Sequence, residues 1–161
     1  MSRKYVVAAL FLLGYLAAAA PVFAEAAPPA SPQADEVTAL VDRAAAAIDA
    51  KGKSVFPDFH EAGGPWRSGP LYLFVVDLTG KTLVNAAFPK FEGTDVKLQK
   101  DTTGKLFGIA FIDTVKASGS GWVDYMWPKP GETQPSRKWT YVKAATVDGV
   151  PALVGAGFYP Q

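Results

Sequence analysis

The chain has 161 residues with 16 basic and 15 acidic side chains, one histidine and no cysteine. Near-neutral charge excludes a broad electrostatic surface for nucleic acid, which needs a strong basic excess. Without cysteine there is no disulfide scaffold, thiol nucleophile or lipid attachment through a lipoprotein cysteine.

The first residues predict export. Arg3 and Lys4 give a positive start, and Tyr5 to Ala20 form an apolar run interrupted only by Gly14. Val22 and Ala24 then place small or aliphatic residues where a signal peptidase accepts them, so residues 1–24 read as a signal peptide. The run is shorter than the ~20 apolar residues of a spanning helix. Removing residues 1–24 leaves 137 residues with 14 basic and 15 acidic side chains. That length suits one domain that buries most of its apolar side chains without disulfides. The expected location is the periplasm or the exterior.

Residues 25–34 are rich in Pro and Ala without periodicity and read as a disordered leader before a single domain over 35–161. From Asp35, the positions Val37, Leu40, Val41, Ala44, Ala45 and Ile48 match the spacing of one helical face. That helix is expected to reach about Lys51, weakened by Gly52, with Pro57 limiting any continuation. "LYLFVV" at 71–76 reads as a buried strand, "DLTG" as a turn and "KTLVNAAF" at 81–88 as the return strand of a hairpin. Next comes a connection with few apolar anchors, then a second helix over Thr103 to Lys116. Three strands over Gly121–Trp127, Lys138–Val147 and Ala152–Tyr159 complete the chain. Asp148-Gly149 supplies a hairpin turn between the last two. This order is α+β, with an antiparallel sheet because its strands are joined by hairpins.

The inventory for catalysis is thin. His60 beside Glu61 reads as a surface or capping residue, since metal sites need several spaced ligands. No serine stands in a G-x-S-x-G context, and "TTGK" at 102–105 lacks the upstream glycine of a phosphate loop. The carboxylates Asp77, Asp95, Asp101 and Asp124 show no spacing that selects acid and nucleophile roles. No catalytic residue, cofactor or metal is expected.

Two neighbouring segments concentrate amphipathic rings and lysines: "GWVDYMWPKP" at 121–130 and "KWTYVK" at 138–143. Strand alternation puts Val123, Tyr125 and Trp127 on one face, and Trp122, Asp124 and Met126 on the other. It likewise separates Lys138, Thr140 and Val142 from Trp139, Tyr141 and Lys143. Lys138 and Tyr141 therefore meet one ligand only if a bulge or bend intervenes. Two readings stay open. The rings are cross-strand packing pairs with Lys138 reaching to water, or they line a small-ligand pocket with a lysine at its edge.

The string "DLTGKTLVNAAFPKFEGTDV…DTTGK…GSGWVDYMWPKP…RKWTYVKA…GVPALVGAGFY" resembles the single Cache domains of type 2, extracytoplasmic sensor modules, from the first helix to the C-terminus. The resemblance implies a long N-terminal helix packed on a PAS-like antiparallel five-stranded sheet, with a second helix between strands. It implies a small-molecule pocket over the sheet, and many members bind short organic acids. Tyr125 and Trp127 match the family's Y-x-W, and Lys138 and Tyr141 its K-x-x-Y, so these four are the implied ligand-binding residues. Asn85 stands where the family commonly has histidine, which removes a cationic donor. A free-standing exported binding module is expected, acting with a membrane receptor or transporter partner on a small molecule such as a short carboxylate. The rival is an envelope-associated interaction domain with a vestigial pocket.

Cleavage after Ala24 makes Glu25 the first residue of protein from the native envelope fraction, which intact-mass and N-terminal peptide analysis will read directly. Membrane-bound protein that retains Met1 contradicts it.

Overall fold

The computed structural model describes residues 27, 28 and 30–160. The signal peptide expected over 1–24 lies outside them. None of the helices among the described residues is long and apolar enough to cross a membrane.

Helix α1 spans Pro32–Lys51, three residues earlier than the apolar periodicity indicates. The Ser31 side chain accepts a hydrogen bond from the Ala34 N–H at 3.2 Å, and Pro32 supplies a first-turn φ without wasting a donor. The expected leader over 25–34 therefore ends inside this helix. The apolar face is the one anticipated: Val37, Leu40, Val41, Ala44, Ala45 and Ile48 are all buried. A 3₁₀ turn at Gly52–Val55 leads into a short helix α2, Phe56–His60. Pro57 thus stands in the first turn of a helix, where proline is tolerated, and starts an element the sequence pattern does not show. Phe59 anchors α2 in the core.

The strands are β1 Leu73–Asp77, β2 Thr82–Asn85, β3 Ser120–Pro128, β4 Pro135–Val147 and β5 Val150–Phe158. They form one antiparallel sheet in the order β2-β1-β5-β4-β3, the PAS-like α+β arrangement the resemblance implies. Helix α3, Phe107–Ser118, sits between β2 and β3 in the chain. It begins four residues later than Thr103 because Asp101 to Lys105 close a loop of their own.

Each face of the sheet has its own core. Val37, Val41 and Ile48 of α1 pack on Val75, Val84, Val147 and Val154. On the other face Phe107, Phe111, Ile112 and Val115 of α3 pack on Phe74, Val76, Val123, Val142 and Leu153. Full burial of one such side chain contributes about 1.5–3 kcal/mol, so a sheet covered on both faces suffices without covalent staples. The β4–β5 turn places Asp148 at φ 50° and Gly149 at φ 83°, the paired positive values that a two-residue hairpin of this sequence supplies.

The closing "VGAGFY" owes its glycines to space. A Cβ on Gly155 would strike the Phe74 ring, and one on Gly157 would strike the Trp139 carbonyl, the Thr140 hydroxyl and the Lys138 stem. Both glycines therefore leave room for residues that point to the α3 face. Gly157→Ala is expected to lower stability by about 1–3 kcal/mol through overpacking, measured as a shift of the urea midpoint at unchanged slope.

Candidate functional site

The β3–β4 register is unbroken from Ser120↔Lys143 to Pro128↔Pro135, and β4–β5 runs without a bulge. Alternation along β4 is therefore strict. It sets Lys138 directly opposite Tyr125, and both face α3 with Trp127. Tyr141 points the other way, where it packs on Trp122 at 5.2 Å between ring centroids and on the core beneath α1. Three of the four residues implied by the resemblance thus come together, and Tyr141 stands across the sheet from them.

Tyr125 and Trp127 line an aromatic chamber, and Lys138 is joined to it only through Tyr72, another of its lining residues. Tyr125 stacks on Phe107 at 4.5 Å, and Trp127 meets Phe88, Phe91 and Phe107 edge-on or tilted at 5.9, 5.6 and 5.3 Å. The partly open cavity there has a volume of about 20 Å³ and is also lined by Tyr72, Thr82, Asn85 and Gln99. That is space for about one water molecule. Asn85, the departure from the family's histidine, lines the chamber, and its side-chain oxygen accepts from the Phe88 N–H at 3.0 Å.

Lys138 lies behind Tyr72, fully buried. Its amine donates to the Tyr72 hydroxyl at 2.9 Å and sits 4.0 Å from the centre of the Tyr72 ring and 5.4 Å from that of Tyr159. It forms no ion pair among the described residues. Other cations are occupied: Lys105 and Arg137 reach Asp124, Lys143 reaches Asp42 of α1, and Arg67 donates to the Ala86 carbonyl. Burial pushes the Lys138 amine down to about 7. The surrounding phenols move the opposite way: burial raises Tyr72, Tyr125 and Tyr159.

Tyr72 is the residue sequence reasoning missed. It sits in an apolar strand pattern, so only the fold discloses that its hydroxyl meets a lysine 66 positions away. A second buried polar group lies close by. The Trp127 indole nitrogen makes no hydrogen bond of good geometry among the described residues, but it is near enough to the Tyr72 phenol to act on it as a hydrogen-bond donor, offsetting part of the upward push of burial.

The roof of the chamber is the connection between β2 and α3, held by a loop motif that occurs twice. In "DLTGK" at 77–81 and "DTTGK" at 101–105, one carboxylate oxygen of the aspartate accepts from the threonine N–H and hydroxyl and from the lysine N–H. The glycines take φ of 108° and 88°, which suits residues without a Cβ. Asp101 spends its second oxygen on the Met126 N–H of β3 at 2.9 Å. Burial raises this carboxyl, but the bonds from Met126, Thr103 and Lys105 outweigh that and hold it down at about 2. Lys105 then reaches the Asp124 carbonyl and carboxylate. "TTGK" is thus a structural loop that pins the roof to the edge strand. His60 pairs with Glu92 at 3.3 Å, and Glu92 accepts from the Asn85 N–H. The described residues contain no group of three metal-ligating side chains.

A sheet of this order, with an aromatic chamber under a pinned roof and a buried lysine, can be compared with known proteins. The sequence profile of the Cache domain family matches residues 63–159. The chain belongs to the Cache domain family. Cache domains are sensory ligand-binding modules, and those of chemoreceptors lie in the periplasm or outside the cell. A solved "Periplasmic sensor domain of chemotaxis protein" is 30% identical at a TM-score of 0.61, over 79% of this chain and 90% of that one. A structure titled "Structural basis for carboxylic acid recognition by a Cache chemosensory domain" is 25% identical at a TM-score of 0.68, over 80% and 93%. Among curated proteins, the methyl-accepting chemotaxis protein McpP of Pseudomonas putida is 28% identical over 88 residues. That match takes in 55% of this chain and 16% of the receptor, so the chain corresponds to a small part of that protein's length.

The lowered lysine makes stability depend on pH. In the unfolded chain a lysine titrates near 10.4, so between pH 7 and 10 the unfolded state holds a proton that the folded state has lost. Stability therefore rises with pH through that window, and below it the fold carries the full cost of a buried ammonium. Urea titrations of wild type and Lys138→Met at pH 7, 8 and 9 should show wild type gaining on the variant, at a slope approaching about 1.4 kcal/mol per pH unit. A constant difference shows that Lys138 does not titrate in this range.

Proposed function

We propose that this Cache domain is an exported sensor module that binds a short carboxylate and reports it to a membrane receptor or transporter partner, without transforming it. The observation that carries this reading is Lys138: a fully buried amine, unpaired with any carboxylate among the described residues and hydrogen-bonded to Tyr72, a residue that lines the aromatic chamber. Burying a cation without a counter-charge is costly, and an entering anion offsets that cost. The Tyr72 hydroxyl, which meets the amine, and the buried Trp127 N–H, which acts on that phenol, are further donors. The rings of Phe107, Tyr125 and Trp127 suit a short apolar tail, as in other small-molecule pockets. The solved Cache domain described as recognising carboxylic acids supports the same chemistry. Tyr141 enters this reading as a packing residue beneath α1.

A cavity of about 20 Å³ favours one rival, a pocket permanently filled by its own rings in an envelope-associated interaction domain. That volume is too small for acetate, so binding requires lining side chains to move. Calorimetric titration with acetate, propionate, pyruvate and lactate at pH 6 separates the two readings. Binding of at least one acid is expected, with Lys138→Met weakening it by about one to two decades, the equivalent of one charge-assisted hydrogen bond. If no acid binds wild type, the rival stands. If Lys138→Met folds and binds as wild type does, the anchor lies elsewhere.

A further inference from the structure

Outside the chamber, the groups that could carry chemistry are occupied. Asp77, Asp101 and Asp124 are spent on loop and edge contacts, and His60 on Glu92. The grooves beside α1, bordered by Glu36, Leu71 and Trp66, hold no unpartnered polar group that points to a ligand. What remains is the Lys138 amine, whose role in binding, as set out above, is only that of a charge.

Resting on the carboxylate reading above, we propose that at alkaline pH the domain takes up its acid together with a proton: Lys138 is then an uncharged amine in the ligand-free domain and becomes an ammonium when a carboxylate arrives. Among the described residues the amine meets the Tyr72 hydroxyl and the Tyr72 and Tyr159 rings and pairs with no carboxylate, while Lys129 from the β3–β4 loop lies 5.8 Å from the centre of the same Tyr159 ring. Tyr72 comes from the residue before β1, Tyr125 from β3 opposite it, Thr140 from β4 itself and Tyr159 from the segment after β5. Glu132, in the loop between β3 and β4, acts electrostatically on Tyr159 but forms no ion pair with Lys138. The ring faces of Tyr72 and Tyr159 favour a cation modestly, whereas complete burial disfavours it far more strongly. Consistent with this, burial brings the amine to about 7, within reach of ordinary conditions.

A bound carboxylate changes that balance. An opposite charge within a few ångströms favours the ammonium form, so the nitrogen lone pair takes a proton from solvent and the buried pair is neutral overall. No bond within the acid is broken and nothing leaves. The phenols cannot supply this behaviour, because burial moves them upward and keeps their protons in place. Such a module reads acid concentration and external pH as one quantity: above pH 7 the same carboxylate concentration occupies fewer sites.

The test is titration of the mature protein with acetate and propionate at pH 6 and pH 8, each in phosphate and in Tris, whose ionisation heats differ. At pH 8 the binding heat should depend on the buffer with close to one proton taken up per acid bound, and affinity should be about tenfold weaker than at pH 6. At pH 6 the buffer dependence should nearly vanish. His60→Gln should leave the uptake in place, and residual binding by Lys138→Met at high acid concentration should show none. Buffer-independent heats at pH 8 with binding intact overturn proton coupling while leaving the carboxylate reading standing. Proton uptake that survives Lys138→Met also overturns it. If neither acid binds at pH 6, both proposals fall together. Should Lys138→Met not fold, the wild-type buffer series decides alone.

Discussion

Strand β4 has no bulge, and most of the molecule's organisation depends on that constraint. Thirteen residues pair with β3 on one side and β5 on the other, so each successive side chain must go to the opposite face. Even positions receive the α3 side and odd positions the α1 side. Lys138 and Thr140 are thereby sealed under rings, whereas Tyr141 and Lys143 turn to helix α1, where Lys143 pairs with Asp42. A shift of one residue would exchange the two sets and turn Lys138 to the α1 face. Two cores, each filled by its own helix, make such a slip prohibitive.

Within that frame, the lysine is the costly element. Its stem fits because Gly157 on the neighbouring strand lacks a side chain, and its amine is tolerated because it can discard its proton. The Tyr72 hydroxyl and ring give it a partner in either protonation state. A domain selected only for stability would fill this position with an apolar residue, since replacing buried charges by apolar groups is often neutral or favourable. On the proposed carboxylate reading that cost prepares the site for an anion, which would tie packing at Gly157 to recognition.

The roof shows how the same local chemistry serves different ends. Both D-x-T-G-K loops close on themselves through one aspartate oxygen. The first makes the β1–β2 turn. The second uses its spare oxygen on the edge strand, so the connection carrying Phe88, Phe91 and Val96 is fastened at its C-terminal end near Trp127. At its other end it is fastened through Asn85 to the Phe88 N–H and Glu92 to the Asn85 N–H, and its middle is bonded to β2 and the β1–β2 turn, by the Gly93 N–H to the Thr82 carbonyl, the Thr82 N–H to the Thr94 carbonyl and the Val96 N–H to the Gly80 carbonyl.

Periodicity alone made the α1 face, the hairpins and the α+β order legible, because burial on one side imposes a repeat of 3.6 or 2 on the residues themselves. Alternation also sorted Tyr125 and Trp127 from Trp122, and Lys138 from Tyr141. It could not say that Tyr125 and Trp127 share a face with Lys138, since that depends on register between strands. The motif resemblance supplied the family and joined all four residues, and there the register decided otherwise for Tyr141. Helix α2 escaped notice because proline stops helices and also starts them, and Ser31 extended α1 through a cap rather than an apolar repeat. Tyr72 was hidden for a different reason. A tyrosine in a strand is ordinary, and its meeting with Lys138 is a contact between segments far apart in the chain. Burial, the absence of a counter-charge among the described residues and the downward push on the lysine's amine are properties of that enclosure, and only the tertiary structure creates it.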